Sequence, residues 1–412
     1  MTTVRQSTTD QSSPVDLATD DLAIIPWWSS VFDEPHADET KSEQQASGGG
    51  RYKWIFRPVV IYLASRLIVL STMLVGAVFA HRTLSSEINT WDTKWFIRAA
   101  GMGYPTRLPM IHGHVAASPI AFFPAFPLTF RWLSDLTGTS LLISGAIVSS
   151  VTGLTAMIAV WMLVRHFAGS RVADRSTVLL AFFPASFVFS MVYAEGMIIT
   201  LAAASLLALL HRRWILAGVA AALATATAPV ALALVVSCGW SAGRAIHKDR
   251  TWSALAAPLL APVGFVAYQV WLWRHTGDIW AWRQTELGGW HSYLSAAYPV
   301  HIITSFFGSP IGSPATIRVV FVSIVVTVIF AVVALRGRLP IPLLVYGLSV
   351  AAVAILTRPI GPRPRFLMVA FPLIVAVATR LRGKSYIAVV SVSTVLLIGL
   401  TAYSVLSNAV FP

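Results

Sequence analysis

The chain has 412 residues, 56% hydrophobic and only 11% charged, with a mean hydropathy of +0.71. That balance belongs to a polytopic membrane protein and excludes a soluble globular domain. The formal charge of +13 does not signal a nucleic-acid partner, because the cations fall in short clusters between apolar spans, and the single cysteine, Cys238, sits within an apolar run and excludes disulfides or cysteine metal sites within one chain.

Residues 1–50 hold nine of the seventeen acids, are rich in Ser, Thr and Gly, and end in Gly48-Gly49-Gly50. This composition predicts a disordered cytoplasmic tail. It lacks a basic stretch followed by an apolar run, so it is not a cleavable signal peptide, and the first span is expected to act as signal anchor. Residues 51–412 form the transmembrane domain, with outer loops 81–139 and 274–316.

Runs able to cross about 30 Å of hydrocarbon, alone or as broken pairs, number about eleven. In chain order they are Val59–Ala80, Ser140–Val164, Thr177–Tyr193, Met197–Leu210, Trp214–Thr227, Val230–Ser241, Trp252–Trp273, Ile317–Leu335, Ile341–Thr357, Phe366–Thr379 and Tyr386–Ser407. The two short spans meeting at Ala228-Pro229 also fit one helix kinked by the proline. Under this count the clusters Arg51 to Arg57, Arg165 to Arg175, His211 to Arg213, Arg244 to Arg250, Arg336 to Arg338 and Arg380 to Lys384 share one face. That face is cytoplasmic by the positive-inside rule, so the amino terminus lies inside and the carboxyl terminus outside.

Eight acids fall within residues 51–412: Glu87, Asp92, Asp135, Asp174, Glu195, Asp249, Asp278 and Glu286. Asp174 and Asp249 sit among inner cations, as solvated pairs would. Asp135 reads as the N-cap of the second span, and Glu87 as a solvated loop residue. Asp92 lies between Trp91 and Trp95, ahead of an amphipathic stretch from Thr93 to Ala100. It reads equally as an N-cap or as a functional carboxylate, and the two are compatible, since a helix start also attracts phosphate. Glu195, at the junction of two spans, is costly so close to hydrocarbon unless paired or wet. A structural pair with an outer arginine is its other reading. Arg358, Arg363 and Arg365 are exceptions to the inner bias of the cations; prolines 359, 362 and 364 restrict their loop, and guanidinium forks suit a phosphate or diphosphate.

Trp91-Asp92-Thr-Lys-Trp95-Phe-Ile-Arg-Ala-Ala-Gly-Met-Gly103-Tyr104, followed by Phe122-Phe123-Pro124-Ala-Phe126-Pro127-Leu128, resembles the first luminal loop of the PIG-V family, the GPI mannosyltransferase 2 group of GT-C glycosyltransferases and its bacterial relatives. Pro184-Ala then Tyr193-Ala-Glu195, Gly277-Asp278 with Gln284 and Trp290-His291, and Pro364-Arg365-Phe366 through Phe371-Pro372-Leu373 resemble later blocks of that family in the same order. The likeness covers roughly residues 51–380. It departs at Ala228-Pro229, where an Arg-Pro pair would be expected.

The resemblance implies an all-α polytopic GT-C fold with outer-face amphipathic helices and a site between the outer loops and the lipid. It also implies a polyprenyl-phosphate sugar donor, typically mannose, with Asp92 as catalytic base in an inverting transfer. Arg363 and Arg365, with Arg358 in the same loop, would hold the phosphate, while Trp91, Trp95 and Trp290 stack or anchor at the interface. Glu195 and His291 would position hydroxyls or the base, and Tyr104, Tyr193 and Gln284 complete the substrate-binding set.

There is neither a compact His/Asp/Glu ligand set nor a P-loop, so no metal site and no cofactor are expected. A divalent cation at Asp92 is the one ion the sequence leaves open. The expected partners are the lipid-linked donor, membrane lipids and a glycolipid, lipoglycan or protein acceptor, with no nucleic acid. The expected location is multi-pass in a membrane, the plasma membrane in a bacterium, with the site extracytoplasmic. The alternative classes are a lipid or solute transporter and a non-catalytic scaffold of the same fold.

Overall fold

A computed structural model describes residues 53–310, 312, 314–358 and 363–407. The tail expected over residues 1–50, Arg51 and prolines 359 and 362 fall outside them. The helices are α1 (Phe56–Phe79), α2 (Leu84–Ile88), α3 (Asp92–Met102), α4 (Ala125–Thr137), α5 (Leu141–Ala181), α6 (Glu195–Leu210), α7 (Trp214–Thr225), α8 (Ala233–Asp249), α9 (Ala256–Leu260), α10 (Val263–Thr276), α11 (Ala281–Gln284), α12 (Ala297–Gly308), α13 (Ala315–Leu335), α14 (Ile341–Leu356), α15 (Pro364–Val369), α16 (Phe371–Arg380) and α17 (Gly383–Ser407). Two small antiparallel ladders accompany them: β1 (Met110–Ile111) with β2 (His114–Val115), and β3 (Tyr293–Leu294) with β4 (Thr357–Arg358).

Among the described residues five helices are long and apolar enough to cross a membrane, or six if Trp252–Leu260 and Val263–Thr276, bent by 42°, form one broken span. The protein is an all-α, multi-pass membrane protein. The count of eleven is not confirmed. Four shorter apolar helices, α6, α7, α14 and α16, account for part of the difference. Another part is the stretch Thr177–Tyr193, which is not a span. Helix α5 runs on from Leu141 to Ala181 through a break at Gly169 (φ 81°), and after it the chain to Tyr193 is irregular, with one 3₁₀ turn over Ser186–Ser190. Pro184 cannot donate to a continuing ladder, so the helix ends before it.

Ala228-Pro229 separates two antiparallel helices and does not kink one. Arg212, just before α7, pairs with Asp249 at the end of α8, so the two helices leave and return to the same end. The far turn of this hairpin lies beside the Phe122–Pro127 loop, where the Ala125 N–H donates to the Ala226 carbonyl at 3.1 Å.

The basic clusters gather at that shared end. Arg57 bonds Asp174 at 3.0 Å, the Tyr386 hydroxyl donates to the Arg175 carbonyl at 3.1 Å, the rings of His166 and His211 lie 4.2 Å apart, and Arg380 donates to the Arg336 carbonyl. Asp174 is not the solvated residue expected. It is buried, and also accepts from the Trp161 indole at 2.7 Å, because a carboxylate at a helix packing seam needs full pairing. Two further acids differ from expectation. Glu87 is 3% exposed and paired to Arg82, which also reaches the Val405 carbonyl and so fastens the turn after α1 to α17. Asp135 lies within α4, beside Arg131, while Ser140 caps α5 by accepting from the Ile143 N–H.

The irregular stretch after α5 is held by one buried cation. Arg66 of α1 donates to the Ser186 carbonyl at 2.7 Å, to the hydroxyls of Ser186 and Ser190 at 3.0 and 3.1 Å, and to the Ala181 carbonyl at 3.4 Å, with its guanidinium over Tyr62 and Phe189. These carbonyls left the helical ladder when α5 ended, and Arg66 satisfies them where no water can. Arg66→Met should therefore lower unfolding stability by about 3 kcal/mol, the scale of charge-assisted bonds lost from buried groups, with Arg66→Lys intermediate. Thermal unfolding in detergent checks this, and an unchanged midpoint would show that the stretch is held otherwise.

Candidate active site

At the end opposite the basic clusters, segments distant in sequence converge on Arg365. It is the second residue of α15, which Pro364 starts. Its Nη1 donates to the Asp92 carboxylate at 2.5 Å, its Nε lies 3.7 Å from Glu195, and its guanidinium covers the Tyr193 ring at 5.3 Å. The side chains of Arg365, Glu195 and Asp92 are 9%, 8% and 20% exposed. Asp92 is thus the most open member.

Asp92 does not cap its helix. It is the first residue of α3, Trp91 occupies the cap position without a side-chain capping bond, and the Asp92 carboxylate points to Arg365. Trp91 adopts φ 52°, a conformation costly for a bulky residue, which turns the chain so that Asp92 faces the site. The Asp92 N–H donates to the Tyr193 hydroxyl at 3.4 Å. Tyr193 and Glu195 are set by the contact of α6 with α5. The Tyr193 N–H and carbonyl both bond Ser149, and Gly196 sits where a Cβ would lie 2.6 Å from the Gly153 nitrogen, so only glycine allows this approach.

Burial, then the Asp92 carboxylate, holds the Tyr193 phenol proton well above its ordinary range. Burial works against the charge of Arg365, but Asp92 and Glu195 outweigh it and raise its pKa above the usual arginine value. Arg363 is pushed down to about 10 by burial and by Arg365 beside it. Arg365 is thus a fixed charge, and Arg363 a cation that gains from any new anion nearby.

Next to this centre is an aromatic wall. The rings of Trp95 and Phe122 stack at 6.2 Å, and Trp290 meets them edge-on at 5.1 and 5.7 Å. Trp290 arrives on a π-turn over Thr285–Gly289 that presses on the loop after β2; a Cβ on Gly289 would come within 2.6 Å of the Ala116 backbone. The β3–β4 ladder, pairing Tyr293 with Arg358, joins that loop to the segment carrying Arg363 and Arg365. Buried atoms without a hydrogen-bond partner among the described residues include Glu195 Oε2, Arg365 Nε and Trp290 Nε1. Such groups are costly when unpaired and suit a polar ligand.

The other expected site residues lie elsewhere. The Tyr104 hydroxyl donates to the Phe122 carbonyl at 2.8 Å, and Gln284 donates to Asp278 at 2.8 Å, so both brace loops. Arg358 stacks over Tyr293 and Tyr298. His291 is exposed, at φ 51°. Ala228, extended at φ −163°, lies in the turn between α7 and α8. Among the described residues no three of His, Cys, Asp and Glu cluster as a metal set, and a divalent cation at Asp92 would have to displace Arg365.

Glu286, counted among the outer acids but given no role, belongs to this end. It is half-buried on the π-turn, and burial, reinforced by the negative charge of Asp92, lifts its carboxyl to about 7 against the pull of a Ser292 hydrogen bond. The signal for it was present: an acid four residues before Trp290, with Gly288-Gly289 between. A carboxyl raised in the folded state binds its proton more tightly there than in the unfolded chain. Its stabilising contribution is complete below about pH 4.5 and is lost as pH rises through about 7. Thermal midpoints should therefore fall more steeply for the natural protein than for Glu286→Gln between pH 5 and 8; parallel curves would remove Glu286 from this electrostatic group.

No protein-family model matches the chain, and no curated protein matches it. Among solved structures it is similar to ArnT from Cupriavidus metallidurans bound to undecaprenyl phosphate, at 14% identity and TM-score 0.48, covering 82% of this chain and 62% of that one. The same enzyme in the apo state gives 14%, 0.48, 80% and 61%. The Archaeoglobus fulgidus oligosaccharyltransferase tethered with an acceptor peptide gives 12%, 0.44, 86% and 56%. The chain thus spans about three fifths of the length of these structures.

Proposed function

We propose that the chain is a GT-C membrane glycosyltransferase that moves a sugar, mannose by the sequence resemblance, from a polyprenyl-phosphate donor to an acceptor hydroxyl with inversion. The observation that carries this reading is the Asp92–Arg365 ion pair, 2.5 Å long and 273 residues apart in sequence, at the end of the molecule away from the basic clusters. A base and a phosphate-binding cation in contact are the two groups this transfer needs. In this reading the face with the basic clusters is cytoplasmic by the positive-inside bias, so the site would be extracytoplasmic, on the outer face of the plasma membrane in a bacterium.

The acceptor oxygen attacks the anomeric carbon as its proton passes to Asp92. The carbon–oxygen bond to phosphate breaks on the opposite face, and the leaving polyprenyl phosphate takes the bonding electrons and one further negative charge. Arg365 and Arg363 stabilise that charge as it develops. Arg365 is bound to Asp92, so an entering phosphate competes for the guanidinium and frees the carboxylate as base. Glu195 keeps Arg365 in place during the exchange, and Tyr193, with its proton firmly held, supports Asp92 from the backbone side. The wall of Trp95, Phe122 and Trp290 offers a face for the sugar or the first isoprene units, and the accepting molecule is a glycolipid, lipoglycan or protein hydroxyl.

Asp92→Asn keeps the size of the side chain and removes the base, so transfer from radiolabelled polyprenyl-phosphate mannose to extracted membrane lipids should fall about 10³-fold; loss of the charge facing Arg365 also lowers the thermal midpoint, so transfer is compared at a temperature where the variant remains folded. Retained transfer would refute the base assignment. Movement of lipid or solute without a covalent product would favour the transporter reading instead. Arg365→Lys keeps the charge but loses the fork, so kcat should fall by about tenfold to a hundredfold, more than KM rises, because the missing contact matters most to the departing phosphate.

A further inference from the structure

Helix α8 ends at the face where the basic clusters gather, about 24 Å from the candidate site if measured along the sixteen residues of α6, from Glu195 down to Leu210. Its last three turns carry two neighbouring stripes. Trp240, Arg244 and Lys248 recur every four residues, and Gly239, Gly243 and His247 do the same beside them. Two hollows share Trp240, Arg244 and Lys248. One, of about 280 Å³, is closed by Trp214, Leu210 and the Ile341-Pro342 start of α14. The other, of about 780 Å³, opens over Gly239, Gly243 and His247, and neither glycine has an atom within 4 Å of where a Cβ would stand.

The charge in this region is one-sided. Asp249, the acid that lines the first hollow, is engaged by Arg212. Among the described residues no carboxylate lies within ion-pair distance of Arg244 or Lys248. Favourable placement at the negative end of the helix dipole explains the Lys248 charge. It does not explain Arg244 one turn earlier, nor a trough kept open by two glycines on a helix face that could have carried leucine. Trp240, 53% exposed, stands one turn before Arg244, the position of an aromatic ring at an apolar-to-charged boundary on a membrane helix. An apolar trough running from hydrocarbon to an unneutralised pair of cations, with a tryptophan at the boundary, has the shape of an amphiphile with one anionic phosphate.

We propose that these joined hollows bind an anionic glycerophospholipid of the leaflet facing the basic clusters, its phosphate held by Arg244 and Lys248 and its acyl chains laid along the Gly239–Gly243 trough. Basic pockets between membrane helices select such headgroups by charge, and the trough adds dispersion contacts that a free phosphate lacks. The site is independent of the transfer reaction, and its occupant would brace the α7–α8 hairpin from the opposite end.

The test is native mass spectrometry of the full chain in detergent, with equal amounts of dioleoyl phosphatidylglycerol and dioleoyl phosphatidylcholine. The natural protein should retain the anionic lipid preferentially. The double variant R244Q/K248Q should reduce that preference by roughly tenfold or more, while the control R336Q/R338Q, at another basic cluster, leaves it in place. Filling the trough with G239L/G243L should weaken retention with the cations intact. Thermal midpoints in phosphatidylcholine alone verify that each variant folds. An unchanged preference in R244Q/K248Q overturns the proposal. So does displacement of the lipid by millimolar inorganic phosphate, which would make this a free-phosphate site, or full retention in G239L/G243L, which would leave the acyl chains no place in the trough.

Discussion

The structure turns on the need to neutralise Arg365. A guanidinium with its side chain 9% exposed, at the edge of a hydrocarbon layer, is tolerable only if carboxylates meet it. One comes from the start of α3 and the other from the start of α6, so the segment between α1 and α4, the α5–α6 junction and the segment before α16 are bound to a common point. This constraint explains several local oddities together. Trp91 accepts a left-handed backbone, Gly196 gives up a side chain, and α5 stops at Ala181, short of Pro184, so that the chain can carry Tyr193 and Glu195 into place.

Arg66 has the complementary task. The break that frees the Tyr193 segment leaves carbonyls without partners in a region sealed from water, and Arg66 satisfies them from α1. Two buried arginines thus act in sequence along one path: the first makes an irregular backbone affordable, and the second uses the acids that this backbone presents. Neither is placed by hydropathy. Both follow from the rule that buried backbone and charge must find partners.

How far all this was legible in the sequence depends on which physical signal was available. The apolar runs gave α1, α6, α13, α14 and α17 closely, because a membrane helix is specified by length and hydropathy. They misjudged Thr177–Tyr193, since an apolar run reads alike whether helical or irregular, and only the Pro184 break and a distant arginine decide between them. Counting cations by face brought out Arg365, and counting acids brought out Asp92 and Glu195. Glu87 and Asp174 were misread because burial of an acid depends on where its partner folds, here Arg82 for one and Arg57 with Trp161 for the other. Glu286 was passed over for a similar reason: its environment is made by a π-turn and by Asp92, nearly two hundred residues away. The Asp92–Arg365 contact was not legible at all, as nothing local links positions 273 apart.

The electrostatics of the site favour an exchange of partners over simple addition of a ligand. Asp92 and Glu195 already balance Arg365 and Arg363 in number, so an incoming phosphate makes the cluster negative unless a proton enters or a carboxylate is displaced toward the acceptor. Arg363, its affinity for a proton lowered by burial and by Arg365, is restored by the new anion, and this favours binding at that position. Glu286, with its carboxyl raised to about 7, can take up the remaining charge imbalance by holding a proton beside Asp92. In the proposed reaction, the same burial that makes this group of charges costly sets the phosphate and Asp92 in competition for one guanidinium, so that Arg365 would serve base and leaving group in turn.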